Sequence, residues 1–164
     1  MVLFPSALHV SRSLARRLRS GVFETRIDTD FAATIRACAA PRRSGPGTWI
    51  NPAMIAAYEA LYRAGYCHSI ETYAGGRLVG GVYGLALVGA FFGESMFSRV
   101  ADASKVALVR LAAECRARGI ELIDCQVASA HLASLGAREI PRRAFLARLA
   151  RLVRREPAGS WAGS

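Results

Sequence analysis

The residues with the greatest capacity for chemistry stand together at the end of one apolar segment. Residues 120–123 predict a buried strand, and Asp124, Cys125 and Gln126 follow it directly. On a strand, residues two places apart point to the same face, so we expect Asp124 and Gln126 to share one pocket and Cys125 to lie opposite. A carboxylate beside a carboxamide can orient a reacting amine. The structural alternative is that Asp124 caps the next element and Gln126 satisfies buried backbone groups.

The neighbouring segments predict an α+β fold that would position this pair. A helix is indicated over residues 52–63, where an asparagine cap and a proline precede apolar residues at helical spacing. Residues 68–93 alternate apolar runs with glycine turns, which predicts a three-stranded antiparallel meander. A long amphipathic helix over residues 103–118 follows, and the strand at 120–123 comes next. Strand, helix and strand therefore alternate towards the polar strand end.

The length and the cysteine pattern bound the class of protein. The 164 residues suit one domain, which we place at residues 1–155, with a flexible tail at 156–164. The four cysteines have no paired spacing and the three histidines lie far apart, so we expect reduced thiols and no metal site. The uncharged stretch 78–93 contains five glycines and is too short for a membrane span. No export signal is visible at the start, and we expect a cytoplasmic protein, with a monomer favoured.

The charge balance favours a polyanionic partner. The chain carries 22 Lys+Arg against 12 Asp+Glu, a formal net charge of +10. This favours nucleic acid or an anionic membrane surface, and charge alone does not choose between them. Arg12, Arg16 and Arg19 have helical spacing, so one helix face can present all three to phosphates. A solvated helix surface and a GC-rich genome are the alternative explanations of this arginine excess.

The order of meander, long helix and polar strand end resembles the core of GNAT-type acyltransferases. An acetyl-CoA enzyme of that fold needs a glycine-rich loop before the long helix, whose free amides bind pyrophosphate. This chain reads SRVADASKVAL at that place. We therefore expect a GNAT-like fold without coenzyme A or any other cofactor. A conventional acetyltransferase remains one alternative hypothesis for the function of the chain.

Ten strings give a more specific resemblance. They run from Leu8 to Leu146 and read LHVSRSL, CAAPR, GTWI, HSIE, LVGGVYG, GESMFSR, ASKVAL, LIDCQ, HLASLGA and IPRRAFL. Together they resemble the leucyl/phenylalanyl-tRNA-protein transferase family. The resemblance implies Leu-tRNA or Phe-tRNA as donor, bound by its acceptor stem. It implies proteins with amino-terminal Arg or Lys as acceptors, which become marked for degradation under the N-end rule.

The family usually has a further amino-terminal subdomain, with GGDLS-like and WWSPDPR-like strings that this sequence does not contain. Two functional hypotheses follow. In the first, the chain is an active aminoacyltransferase. In the second, it is a non-catalytic relative that holds tRNA or a partner.

The resemblance also implies roles for individual residues. Asp124 and Glu94 would attract the cationic acceptor, and Gln126, oriented by Asp124, would hydrogen-bond the attacking amine. Trp49 would stack on the terminal adenine, although a packing anchor is an equal interpretation. Arg12, Arg16 and Arg19 would bind the acceptor stem. An apolar slot for the donor side chain, with ordinary core as the alternative, would be formed by Val82, Phe91, Gly93, Met96, Leu108, Leu111 and Ile123.

Overall fold

The structure of the chain is a computed structural model that describes residues 1–41, 48–154 and 161. Its strands are β1 (Val2–Leu3), β2 (Glu24–Ile27), β3 (Cys67–Ala74), β4 (Arg77–Leu87), β5 (Ala90–Ser98) and β6 (Leu122–Asp124). Its helices are α1 (Arg12–Arg19), α2 (Phe31–Ala39), α3 (Pro52–Arg63), α4 (Ala103–Ala117), α5 (Ala130–Ala133) and α6 (Arg142–Leu152), and Pro5–Ala7 forms a 3-10 turn.

The six strands form one sheet in the order β1-β6-β5-β4-β3-β2. From β2 to β5 each strand pairs antiparallel with the next. β6 then pairs parallel to β5, and the connection between them contains α4, as a parallel pair requires. β1 closes the edge beside β6 in the antiparallel direction. The sheet is therefore a meander to which a helix and a parallel strand have been added.

Side-chain caps fix where several helices begin. Ser11, Asp30, Asn51 and Ser129 each accept a hydrogen bond from the backbone N–H three residues later, at 3.0–3.2 Å. Such a cap satisfies one of the amides that a helix start leaves without an intrahelical partner, and contributes about 1 kcal/mol. None of the described helices has the length and hydropathy needed to cross a membrane.

The core lies on both faces of the sheet. Successive residues of a strand point to opposite faces. Val82 of β4 accordingly packs with Leu108 and other residues of α4. Tyr83 packs on the other side with Phe31 of α2, at 5.7 Å between ring centroids, and with Tyr58 of α3, at 5.3 Å. The helices thus cover both faces, and Leu152 of α6 packs with Ala90 and Leu122 of the parallel pair.

The predicted α+β fold is confirmed, with its antiparallel meander, long helix and following strand. Two strands that the sequence did not predict complete the sheet, β1 and β2. β2 alternates exposed and half-buried residues, and its charged residues Glu24 and Arg26 form an exposed ion pair at 2.7 Å. Its pattern is therefore too polar to indicate a strand. Its pairing with β3 joins residues that are more than 40 positions apart in the sequence, so no local signal predicts it.

The predicted flexible tail needs correction at Trp161. This residue is 7% exposed, and its ring stacks on His68 at 4.4 Å between centroids. The guanidinium of Arg118 lies 4.7 Å from the ring centroid. An indole buried between an imidazole and a cation gains both apolar burial and cation–π attraction, so it is packed. The rest of that tail and the turn-rich connection 42–47 lie outside the described residues.

Gly84 provides a test of how tightly β4 and β5 are joined. A Cβ atom at Gly84 would collide with the carbonyl oxygen of Phe92 and lie 2.6 Å from the ring of Phe91. Because backbone cannot move aside without breaking the strand pair, Gly84→Ala is expected to lower the free energy of unfolding by about 3 kcal/mol or more. Denaturant unfolding measures this change.

Gly65→Ala is the matched control. Gly65 has φ +79° and open space around the added Cβ, so only backbone strain, about 1–2 kcal/mol, should appear. The interpretation of the β4–β5 contact is contradicted if Gly84→Ala is no less stable than this control.

Candidate active site

The candidate site lies where two parallel strands separate. β5 and β6 pair over three positions only, from Ala90 opposite Leu122 to Phe92 opposite Asp124. β6 ends there, whereas β5 continues to Ser98. Beyond the last pair the two chain segments no longer share backbone hydrogen bonds, and a cavity of about 400 Å³ lies beside them. This volume is in the range of small-molecule sites.

A bulge in β5 shapes the same opening. The register between β4 and β5 shifts between Tyr83 and Gly84, and Glu94 is the extra residue opposite this step. A bulge bends its strand and redirects the side chain of the extra residue, and Glu94 borders the cavity. Gly93 precedes it, and a Cβ atom there would lie only 3.3 Å from the carbonyl oxygen of Asp124. A glycine therefore lets the strand pass the end of β6 closely.

The cavity has an apolar wall built from the sheet and from α4. Val82 and Met96 are paired across β4 and β5, and Leu108 and Leu111 of α4 lie on the same face of the sheet. The structure places six of the seven predicted slot residues around this cavity: Val82, Gly93, Met96, Leu108, Leu111 and Ile123.

Phe91 is the exception among the predicted slot residues. It is 1% exposed and does not border the cavity. Its ring packs 5.8 Å from that of Trp161 and fills the space that Gly84 leaves. Phe91 lies opposite Ile123 before the strands separate, and its ring belongs to the closed part of the core.

The predicted arrangement of Asp124 and Gln126 was wrong in its geometry. β6 ends at Asp124, and Gln126 has a left-handed backbone with φ +58°, so strand alternation does not extend to it. Ile123, Cys125 and Gln126 border the cavity, whereas Asp124 does not. The Oδ1 atom of Asp124 instead accepts a hydrogen bond of 2.9 Å from the backbone N–H of Gln126. The carboxylate therefore holds the turn that brings Gln126 to the cavity.

The structure adds polar residues that sequence reasoning missed. Cys125, Ser129 and His131 border the cavity. Burial, with a smaller effect from Lys105, lowers the pKa of His131, which favours a neutral imidazole. The sequence did contain a signal for His131, which is the first residue of the string HLASLGA. Ser129 caps α5 just before this string and so sets the direction in which the side chains of α5 point. Among the described residues, no group of His, Cys, Asp and Glu is placed to hold a metal ion.

Aromatic residues form one side of the rim. Trp49 is 51% exposed and borders the cavity. Its ring meets that of Tyr58 edge to face, at 6.3 Å between centroids. Burial raises the pKa of Tyr58, and a hydrogen bond to Glu94 adds to this rise. The phenol therefore lies close to the bulge carboxylate, beside the half-exposed indole of Trp49.

The three arginines predicted to bind phosphate lie on an exposed face of α1. Arg12, Arg16 and Arg19 are exposed, whereas Leu14 is buried on the other side of the helix. Arg17 is also turned away, with its guanidinium 5.1 Å from the ring centroid of Phe23. None of the three predicted arginines borders the cavity, so they lie apart from the reacting groups.

The start of α4 differs from a coenzyme A site. The backbone N–H of Ser104 already donates to the Oγ atom of Ser98, at 3.2 Å. Asp102 occupies the cap position and pairs with Lys105 at 3.2 Å. A carboxylate at a helix start disfavours a second anion there, in contrast to the free amides that bind a pyrophosphate.

A family model described as leucyl/phenylalanyl-tRNA protein transferase matches residues 2–150. The chain belongs to this family. All described residues that border the cavity fall within the matched region.

Relatives named leucyl/phenylalanyl-tRNA–protein transferase are closely similar. The protein from Thiobacillus denitrificans is 60% identical over 153 residues, which are 93% of this chain and 67% of that protein. The one from Aromatoleum aromaticum is 56% identical over 162 residues, 98% of this chain and 68% of that protein. The chain thus spans about two thirds of the length of these relatives. Neither match favours the alternative of a non-catalytic binding relative.

Solved structures resemble the transferase chain in fold at low sequence identity. L-PGS from Bacillus licheniformis has a TM-score of 0.54 and 10% identity, covering 88% of this chain and 53% of that one. A ribosomal-protein-alanine N-acetyltransferase from Brucella melitensis biovar Abortus 2308 has a TM-score of 0.47 and 15% identity, covering 66% and 80%.

Cys125 borders the cavity, where a thiolate could act as a nucleophile. Burial raises the pKa of the Cys125 thiol to about 11. Only the thiolate is nucleophilic, and at pH 8 it should amount to about one thousandth of the Cys125 side chains.

We expect carbamidomethylation of Cys125 in the folded protein to be slow at pH 8 and to accelerate towards pH 11, as measured by mass spectrometry. Rapid labelling at pH 7 would contradict this account, and an unfolded sample serves as the reactive control.

Proposed function

We propose that this chain transfers leucine or phenylalanine from aminoacyl-tRNA to the amino-terminal Arg or Lys of acceptor proteins. It would act in the cytoplasm and mark those proteins for degradation. The observation that carries the proposal is a cavity with an apolar wall and a polar rim, in a chain of the leucyl/phenylalanyl-tRNA protein transferase family. An apolar side chain can enter such a cavity while its ester carbonyl stays at the rim.

The wall supports selection of an apolar donor side chain. Burying a leucine or phenylalanine side chain contributes about 1.5–3 kcal/mol, enough to discriminate against polar residues. Met96 is unbranched and adapts to more than one shape, which suits both donors. Trp49, with half of its surface exposed beside the cavity, offers a stacking face for the terminal adenine.

The rim supports binding of a cationic acceptor. Glu94 provides a carboxylate beside the cavity, and it would attract the positively charged side chain of an amino-terminal Arg or Lys. The Gln126 carboxamide would hydrogen-bond the attacking amine. Asp124 would act through Gln126, because its carboxylate contacts the backbone of the turn and does not border the cavity. Asp124 is accordingly a positioning residue in this proposal.

The reaction itself is aminolysis of an ester that is already activated. The neutral amine nitrogen attacks the carbonyl carbon, a C–N bond forms, and the C–O bond to the tRNA ribose breaks. The amine proton passes to the departing ribose oxygen, directly or through a neighbouring group. Alignment of amine and ester supplies most of the rate enhancement in such a reaction, which matches a site rich in orienting groups.

Asp124 variants test the proposal in a transfer assay with radiolabelled Leu-tRNA and a peptide that begins with Arg. Asp124→Ala removes the acceptor that holds the Gln126 turn and should lower kcat/KM about 100-fold, since small misplacements have effects of that size. Asp124→Asn keeps an oxygen that can accept the backbone N–H, so it should stay within about tenfold of the wild type.

Two outcomes would contradict the proposal. If the wild-type chain transfers no leucine to the peptide, the proposed function is wrong. If Asp124→Asn is as inactive as Asp124→Ala while the wild type is active, the carboxylate acts by its charge and the positioning role is wrong. Gln126→Ala is the companion variant, and it should lose activity like Asp124→Ala.

The exposed arginines of α1 test the donor side of the proposal. Each phosphate contact contributes about 0.7–0.9 to the slope of log affinity against log salt concentration. Replacing Arg12, Arg16 and Arg19 together by Gln should therefore reduce that slope for Leu-tRNA by about two to three. Arg17→Gln is the control on the same helix, because Arg17 packs on Phe23. An unchanged slope in the triple variant would contradict this role of α1.

A further inference from the structure

A second cavity lies at the opposite end of β6 from the candidate site. Its volume is about 530 Å³, and it is bordered by Phe4 and Pro5 of the amino-terminal segment and by Arg116, Glu121, Arg138 and Arg148. Glu121 immediately precedes β6, whereas Cys125, which immediately follows the strand, borders the first cavity. At about 3.3 Å per residue, the two cavities are separated by about 13 Å along this strand.

Three guanidinium groups converge on this second cavity, and each is held by a defined contact. Those of Arg138 and Arg148 lie 5.0 and 5.1 Å from the ring centroid of Phe4. Arg116 donates from Nη1 to the carbonyl oxygen of Pro5, at 2.9 Å. The backbone of Arg138 is fixed by hydrogen bonds to Val2 in both directions, at 2.8 and 2.9 Å. The charges are therefore positioned and not spread over a mobile surface.

The positive charges of these three arginines are not neutralised by ion pairs with described carboxylates. Glu121 is the only carboxylate among the described residues that border the cavity, and it pairs with Arg151 at 2.7 Å. None of the ion pairs between described residues includes Arg116, Arg138 or Arg148. Like charges that face one depression repel each other, and a bound phosphate would relieve that repulsion. Guanidinium groups also match phosphate oxygens in bidentate hydrogen bonds.

We propose that this cavity binds a backbone phosphate of the aminoacyl-tRNA, at a distance from the aminoacylated end. The inference rests on the proposed function, which supplies the RNA. The 3-10 turn that borders the cavity packs on α4 and leads directly into α1 through residues 8–11. The cavity would give the RNA a point of contact separate from the exposed arginines of α1, and two such contacts would fix the direction of the RNA across the protein.

A charge-matched pair of double variants tests this inference. Arg138→Gln/Arg148→Gln removes two charges from the cavity. Arg142→Gln/Arg143→Gln removes two exposed charges that do not border it. The first variant should bind Leu-tRNA about tenfold more weakly and lower the salt slope by about one, as expected for the loss of one phosphate contact, whereas the second should leave both near the wild-type values. A trinucleotide that carries leucine on its 3′ end should bind wild type and both variants equally, because it does not reach the cavity.

The trinucleotide also reports whether the cavity variant is folded. Equal affinity and salt slope for Leu-tRNA in the two double variants would overturn the inference, while leucine transfer by the wild type would leave the proposed function intact. Loss of trinucleotide binding in the cavity variant would also overturn it, since the contact would then lie near the ester. A wild-type chain that neither binds Leu-tRNA nor transfers leucine would contradict both proposals.

Discussion

The early end of the pairing between β5 and β6 is the constraint on which the rest of the site depends. Three parallel pairs hold the strands together, and the next residues are Gly93 on one side and Cys125 on the other. A fourth pair would bring the two backbones within the usual spacing of about 4.8 Å and close the opening to side-chain-sized ligands. The bulge at Glu94 and the turn at Gln126 both occur at this point, so each strand turns a different functional group towards the same space.

The opening separates two kinds of surface. Its interior is formed by aliphatic side chains from the sheet and α4, while carboxylate, carboxamide and imidazole groups stand at the rim. Within the described part of the chain, no arginine or lysine borders the cavity, and the exposed arginines of α1 and those around Phe4 lie elsewhere on the molecule. Under the proposed function, the nucleic acid would be attracted to surfaces outside the cavity, and a cationic acceptor would meet the Glu94 carboxylate at its rim.

Local sequence signals predicted the elements, and long-range contacts account for what was missed. The caps, glycine turns and apolar periodicity were sufficient for α3, α4 and the meander, and six of the seven residues predicted to form the slot border the cavity. β1 and β2 depend on pairing with distant strands. The position of Asp124 could not be derived from strand alternation, because a left-handed glutamine after the strand breaks it and only the folded turn shows this. Trp161 likewise has partners that are distant in sequence.

The most direct test of the central claim is whether a donor side chain enters the space between β5 and β6. The chain has three methionines, so a methyl-labelled sample gives a simple spectrum in which Met96 can be assigned by mutation. With a hydrolysis-resistant leucyl-adenosine amide bound, the account predicts nuclear Overhauser contacts between the leucine methyl groups and the Met96 methyl group, and none with Met54, which packs on the α3 side of the sheet. Binding of the analogue without any contact to Met96 would contradict the account.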